Sequence, residues 1–122
     1  MAKEVCEYYV IKDGSFTVKK GQPWDSEFEL HAGGKTNRNS VLYFRVDPYS
    51  GAANVNLEVK FGTNNISFSR TYSAGQSRTE HEVINPNILD PHGQKNHILF
   101  HVPSGAGKLR ISDVVLFYRL DV

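Results

Sequence analysis

Apolar and polar residues alternate along most of the chain with a period of two. Val55, Leu57, Val59 and Phe61 alternate with Asn54, Asn56, Glu58 and Lys60. The same rule runs through Leu42, Phe44 and Val46, through Ile66 and Phe68, through Ile98, Phe100 and Val102, and through Val114, Leu116, Tyr118 and Leu120. Successive side chains of a strand point to opposite faces, so this alternation predicts strands with one face in a core. β-branched and aromatic residues fill most of these positions. Turn signals separate them: Asp13-Gly14, Gly33-Gly34, Asp47-Pro48-Tyr49-Ser50-Gly51, Gly62-Thr63-Asn64-Asn65, Ser73-Ala74-Gly75, Asp90-Pro91-His92-Gly93 and Pro103-Ser104-Gly105-Ala106-Gly107. Roughly seven or eight short strands punctuated in this way predict an all-β antiparallel sandwich or barrel. No stretch carries a helical stripe. Residues 21–40 are the least patterned and read as a long loop with one strand over 27–31.

At 122 residues the chain reads as one domain spanning 1–122, large enough to bury a self-sufficient core. Lys and Arg number 14 against 13 Asp and Glu, interspersed, for a net charge of +1. That lacks the basic footprint of a nucleic-acid binder, and no apolar run approaches the ~20 residues of a membrane helix. The single cysteine, Cys6, excludes an internal disulfide and reads as a buried free thiol. The opening Met1-Ala2-Lys3-Glu4 has no apolar stretch after it, so the default expectation is a cytoplasmic protein, with release by another route left open.

From Val41 onward the order of features resembles the galactose-binding-like jelly roll of carbohydrate-binding modules and small lectins. Val41-Leu42-Tyr43-Phe44-Arg45-Val46 matches an early strand of that pattern. Val55-Asn56-Leu57-Glu58-Val59-Lys60-Phe61-Gly62-Thr63-Asn64 is similar to its next strand and turn. Glu82-Val83-Ile84 and the run Ile88 to Phe100 resemble its following strand and hairpin, and Gly107-Lys108-Leu109-Arg110-Ile111-Ser112-Asp113-Val114-Val115-Leu116-Phe117-Tyr118 resembles its closing strand. The resemblance covers about two-thirds of the chain and implies jelly-roll topology and sugar binding without catalysis. Calcium-bearing modules of this kind pair an N-terminal acid with one near the last strand. The counterparts here are Glu4 or Glu7 and Asp113, which implies a structural Ca²⁺ between them and no other cofactor. The paired exposed tryptophans of a sugar-stacking platform are missing, since Trp24 is the only tryptophan.

Several groups could carry chemistry. Trp24 next to Asp25 suits a sugar, with the ring under its apolar face and the carboxylate accepting hydroxyls. Alternatively, Trp24 plugs one end of the sandwich. Asn37, Arg38 and Asn39 form a donor-rich loop. The preceding Gly33-Gly34-Lys35-Thr36 lacks the glycine spacing of a phosphate loop. Arg70, Tyr72, Arg78, Glu80 and His81 bring more polar functionality than a hairpin requires, although strand alternation sends Glu80 and Glu82 to the face opposite His81. His97 and His101 share a face about 13 Å apart, too far for one zinc. They are candidates for a ligand-facing sheet with Tyr43, Arg45, Asn56 and Glu58. No nucleophile elbow frames a serine.

The leading expectation is therefore a lectin-like, non-catalytic carbohydrate-binding protein. Trp24, Asp25, Asn37, Arg38, Asn39, Tyr72, Arg78 and His81 are its candidate ligand residues, and self-association would add avidity. One alternative is an assembly subunit such as a capsid, tail or secretion-particle jelly roll. A second is a small β-fold enzyme with an internal pocket.

Overall fold

The computed structural model describes residues 4–31, 38–62, 65–90 and 93–121. Among these it forms eight strands: β1 (Glu4–Lys19), β2 (Trp24–Phe28), β3 (Ser40–Pro48), β4 (Ala53–Phe61), β5 (Asn65–Tyr72), β6 (Arg78–Ile84), β7 (Asn96–Ala106) and β8 (Lys108–Asp121). A 3₁₀ turn at Pro86–Ile88 interrupts them, capped by the Asn85 side chain, which accepts from the Asn87 amide. All pairings are antiparallel, in two four-stranded sheets ordered β1-β8-β3-β6 and β2-β7-β4-β5. Consecutive strands lie in opposite sheets except at the β4–β5 hairpin. This is an antiparallel sandwich, as the alternation predicted, with the jelly-roll topology that the resemblance implied.

The alternating residues supply the inner faces. Leu42, Phe44 and Val46 of β3 and Ile111, Val114 and Leu116 of β8 meet Val55, Leu57 and Val59 of β4 and Ile98 and Phe100 of β7, all fully buried. Each such side chain contributes about 1.5–3 kcal/mol relative to exposure.

Two local readings change. Asp13-Gly14 does not turn the chain but lies inside the 16-residue β1. Ile111 and Val114 are both buried yet three positions apart, so strict alternation would send one of them outward. The β1–β8 register skips here, from Ser15↔Ser112 to Lys12↔Val114, with Asp113 at φ 54° and Gly14 at φ 88°. Facing irregularities in both strands thus reset the phase and keep apolar residues inward.

The strand expected over 27–31 starts earlier, so Trp24 lies on β2 rather than in a loop. Its partner in the register is Phe100, which is buried, and Trp24 therefore points toward the interior.

A sandwich has two open sides where edge strands of opposite sheets face each other. Between β1 and β2 the opening is closed by aromatic rings: Phe16 stacks on Trp24 with centroids 4.0 Å apart, and Trp24 meets Phe100 edge-on at 6.0 Å. Between β5 and β6 it is closed by polar groups.

Candidate functional site

The β5–β6 edge. Strand parity places Arg70 and Tyr72 on the inner side of β5, opposite buried Leu57 and Val55. It likewise places Arg78 and Glu80 on the inner side of β6, opposite buried Val46 and Phe44. Because β5 and β6 edge different sheets, these four side chains meet across the open flank. The Tyr72 hydroxyl donates to Glu80 Oε2. Arg70 Nε lies 3.0 Å from the same oxygen and Arg78 Nε 3.7 Å from it. Glu80 is only 5% exposed, so the carboxylate is held in the interior by a phenol and two guanidiniums. Burial, together with the hydrogen bond and charge of Glu80, holds the Tyr72 phenol far above its ordinary pKa, and it stays protonated.

The connecting loop is shaped to leave a cavity beside this cluster. Gln76 Oε1 accepts from the Ser73 amide at 2.8 Å, and the Gln76 amide donates to the Ser73 carbonyl at 3.1 Å. The Ser73 hydroxyl accepts from the Asn54 amide, and the Ala74 amide donates to the Ala52 carbonyl, tying the loop to the start of β4. The cavity, about 340 Å³, is lined by Arg70, Thr71, Tyr72, Gln76, Ser77 and Arg78. That lies within the ~300–1,000 Å³ range of small-molecule sites. Next to it, Arg45 grips Asp47 through two nitrogens at 3.0 and 3.1 Å. Burial alone would raise the Asp47 pKa, but hydrogen bonds from Ser77 and Arg45 and the charges of Arg45 and Arg110 outweigh it and hold it low.

The remaining candidates do not converge there. Asp25 faces outward on β2, the side opposite Trp24, and its Oδ2 lies 2.8 Å from His97 Nε2. Trp24 and Asp25 therefore cannot clasp one sugar between them. Trp24 is also three strand spacings, about 14 Å, from β5. Asn37 lies outside the described residues. Arg38 and Asn39 are exposed just before β3, at the end where Ser40 pairs with Ile84, whereas Arg78 pairs with Val46 about 20 Å away. Asn39 instead lines a shallow cavity with Cys6, Val41, Phe117, Tyr118 and Arg119. Cys6 is exposed, not buried. Tyr72 and Arg78 are brought together, but His81 is exposed on the opposite face of β6, its ring 5.2 Å from Tyr43.

The proposed histidine sheet also divides. Glu58 and His101 are bonded at 2.9 Å, and with His97 and Asn56 they lie on the outer face of the β4 sheet. Tyr43 and Arg45 belong to the other sheet and face away on the far side of the sandwich. The calcium pairing meets a similar obstacle. Glu7 pairs with Tyr118, five positions along β8 from Asp113 and about 17 Å away. Glu4 pairs farther along still, with Asp121. None of these pairs can share an ion at coordination distance, and among the described residues no group of three His, Cys, Asp or Glu is placed to hold one.

Sequence reasoning undervalued Arg70 and Glu80 as site residues. Their signal was parity: Phe68-x-Arg70-x-Tyr72 and Arg78-x-Glu80-x-Glu82-x-Ile84 each put polar groups in register with core residues. A second feature is apolar. Across the outer face of the β8 sheet, Tyr8, Phe117, Val41 and Val83 form one row and Val10, Val115, Tyr43 and His81 the next. Tyr8, Val10, Val83 and Phe117 in these rows are exposed.

By sequence, no family model and no curated protein matches the chain. Solved structures do match its fold. A dimeric latent PorU from Porphyromonas gingivalis superposes with a TM-score of 0.69 and 8% identity, covering 98% of this chain and 13% of that one. A β-porphyranase of glycoside hydrolase family 86 from the human gut bacterium Bacteroides plebeius gives 0.67 and 14% identity, covering 99% and 21%. The chain thus spans a small part of each. A CBM4 gives 0.51 and 14% identity, covering 96% of this chain and 77% of that one. At these identities the likeness is one of fold alone, and the fold is the jelly-roll sandwich described above.

Proposed function

We propose that the protein is a non-catalytic carbohydrate-binding module whose binding site is the cavity between β5 and β6. The observation that carries this reading is the set of planar polar groups around it. Arg70, Gln76 and Arg78 line a space of about 340 Å³, and the Glu80 and Ser73 contacts hold them in place before any ligand arrives. Preorganised donors reduce the ordering cost of binding. The CBM4 that shares the fold over most of both chains adds support from carbohydrate binding. A single shallow site of this kind binds weakly, so avidity through several copies is part of the proposal. The test is a glycan array probed with the purified protein, in calcium and again in EDTA. Selective binding in both buffers, lost on Arg78→Ala and kept on Trp24→Phe, is the expected result. A blank array in both buffers overturns the reading.

The apolar rows on the outer face of the β8 sheet favour a second reading, an assembly subunit that buries this face against another surface. Sedimentation of the protein beside Phe117→Glu separates the two: a native oligomer that becomes monomeric, with an empty array, supports assembly.

A further inference from the structure

We infer that the cavity between β5 and β6 selects a sugar carrying a negative charge, a carboxylate or a sulfate ester. This rests on the carbohydrate-binding reading and names its ligand class.

The first ground is the balance of donors and acceptors. A neutral sugar hydroxyl both donates and accepts, and a site for it offers both kinds of partner. Here the strongest side-chain acceptors, Glu80 Oε2 and Gln76 Oε1, are already engaged. Glu80 is buried, and its Oε2 takes the Tyr72 proton and faces both arginines. Gln76 Oε1 holds the Ser73 amide, and Thr71 Oγ1 faces Asn56 Nδ2 at 3.3 Å. The donors are in excess. Each guanidinium has five N–H groups; Arg70 and Arg78 approach Glu80 through Nε, and both residues line the cavity. Guanidinium forks match the planar oxygens of a carboxylate and the paired oxygens of a sulfate.

The second ground is charge. Arg70 and Arg78 are the charged residues that line the cavity, with Glu80 between them, and Glu82 follows two positions along the same side of β6. Two guanidiniums line the cavity and, among the described residues, no carboxylate does, since Glu80 lies buried behind them. One arginine at 3.0 Å suffices to neutralise Glu80. Arg78, at 3.7 Å and with its side chain 52% exposed, is the one in surplus.

The test is a titration of the ¹⁵N-labelled protein, followed by amide and arginine Nε shifts, with galacturonic acid, its methyl ester, galactose, galactose 6-sulfate and inorganic sulfate. The expected result is shifts confined to residues 70–78 and binding of the acid or the sulfate ester about tenfold tighter than the ester or galactose. The preference should weaken with added salt and vanish in Arg78→Gln, whose unfolding midpoint serves as the folding control. Arg78→Lys, which keeps the charge but not the fork, should retain only part of it. Stronger binding of galacturonic acid or of galactose 6-sulfate tells carboxylate from sulfate. Equal affinity for charged and neutral sugars overturns the inference and leaves the carbohydrate reading standing. Inorganic sulfate binding as tightly as the sulfated sugar overturns it as a sugar site. No binding of any of them removes both.

Discussion

The Tyr72 hydroxyl donates to the carboxylate of Glu80, and the two residues belong to edge strands of different sheets. Together with the Arg70–Glu80 ion pair, this contact joins the two layers on a flank closed by polar groups. Tyr72→Phe keeps the ring but leaves a buried carboxylate with one partner fewer. Hydrogen bonds to charged groups are worth about 1.5–3 kcal/mol, and a loss of that size in urea unfolding is expected. In Glu80→Gln the same tyrosine substitution should cost clearly less, because the acceptor is no longer charged. Equal losses in the two backgrounds would show that the phenol acts through packing alone.

Strands β4 and β7 were legible because one face of each is buried and the other solvated, so their hydrophobicity reports their geometry directly. β1 and β8 were harder, since Asp13-Gly14 has the chemistry of a turn and the bulge opposite it uses the same positive φ. Only the spacing of Ile111 and Val114 betrays it. Trp24 and Asp25 looked like one site because they are adjacent in sequence, but adjacency in a strand means opposite faces. Arg70, Tyr72, Arg78 and Glu80 carried the right parity, yet nothing local states that β5 and β6 face each other. That is set by the sheet order, a product of contacts far apart in the chain.

Asp47 should shape the acid limb of stability. Its folded pKa lies below the ordinary 3.8, because hydrogen bonds from Ser77 and Arg45 and the charges of Arg45 and Arg110 outweigh burial. The native state therefore binds fewer protons at this group than the unfolded chain does. The resulting stability is fully present above pH 3.8 and is lost as pH falls through the folded value. Asp47→Asn is expected to lower stability at neutral pH and to flatten the decline below about pH 4. Urea midpoints followed from about pH 6 to about pH 2 would show it, and parallel acid limbs would contradict it.

Gly105 and Gly14 both have positive φ, at 110° and 88°, but only one is crowded. A Cβ on Gly105 would sit 2.3 Å from the Asn54 carbonyl oxygen and 2.5 Å from Val55 Cα, whereas Gly14 has nothing within 4 Å. Gly14→Ala should cost the conformational strain alone, about 1–2 kcal/mol. Gly105→Ala must also push β7 off β4, and a total on the order of 3 kcal/mol or more is expected. Amide exchange should quicken along residues 53–56 in that variant and stay unchanged in Gly14→Ala.

Trp24 separates stability from binding. Its ring stacks on Phe16 at 4.0 Å and meets Phe100 edge-on, closing the flank opposite the Tyr72–Glu80 contact. Truncating a fully buried tryptophan to alanine costs about 3–5 kcal/mol. Trp24 is half-buried, so Trp24→Ala is expected to cost on the order of 2 kcal/mol. Trp24→Phe, which keeps an aromatic ring against Phe16, should lose less. Neither change should alter sugar affinity below the unfolding transition, because the ring faces the interior on β2 while Arg70 and Arg78 flank the cavity on the far side of the sandwich. Binding isotherms and urea midpoints on the same samples decide this. A folded Trp24→Phe with lost affinity would move the binding site to β2 and its neighbours, whereas lost stability with intact affinity keeps it at the β5–β6 edge.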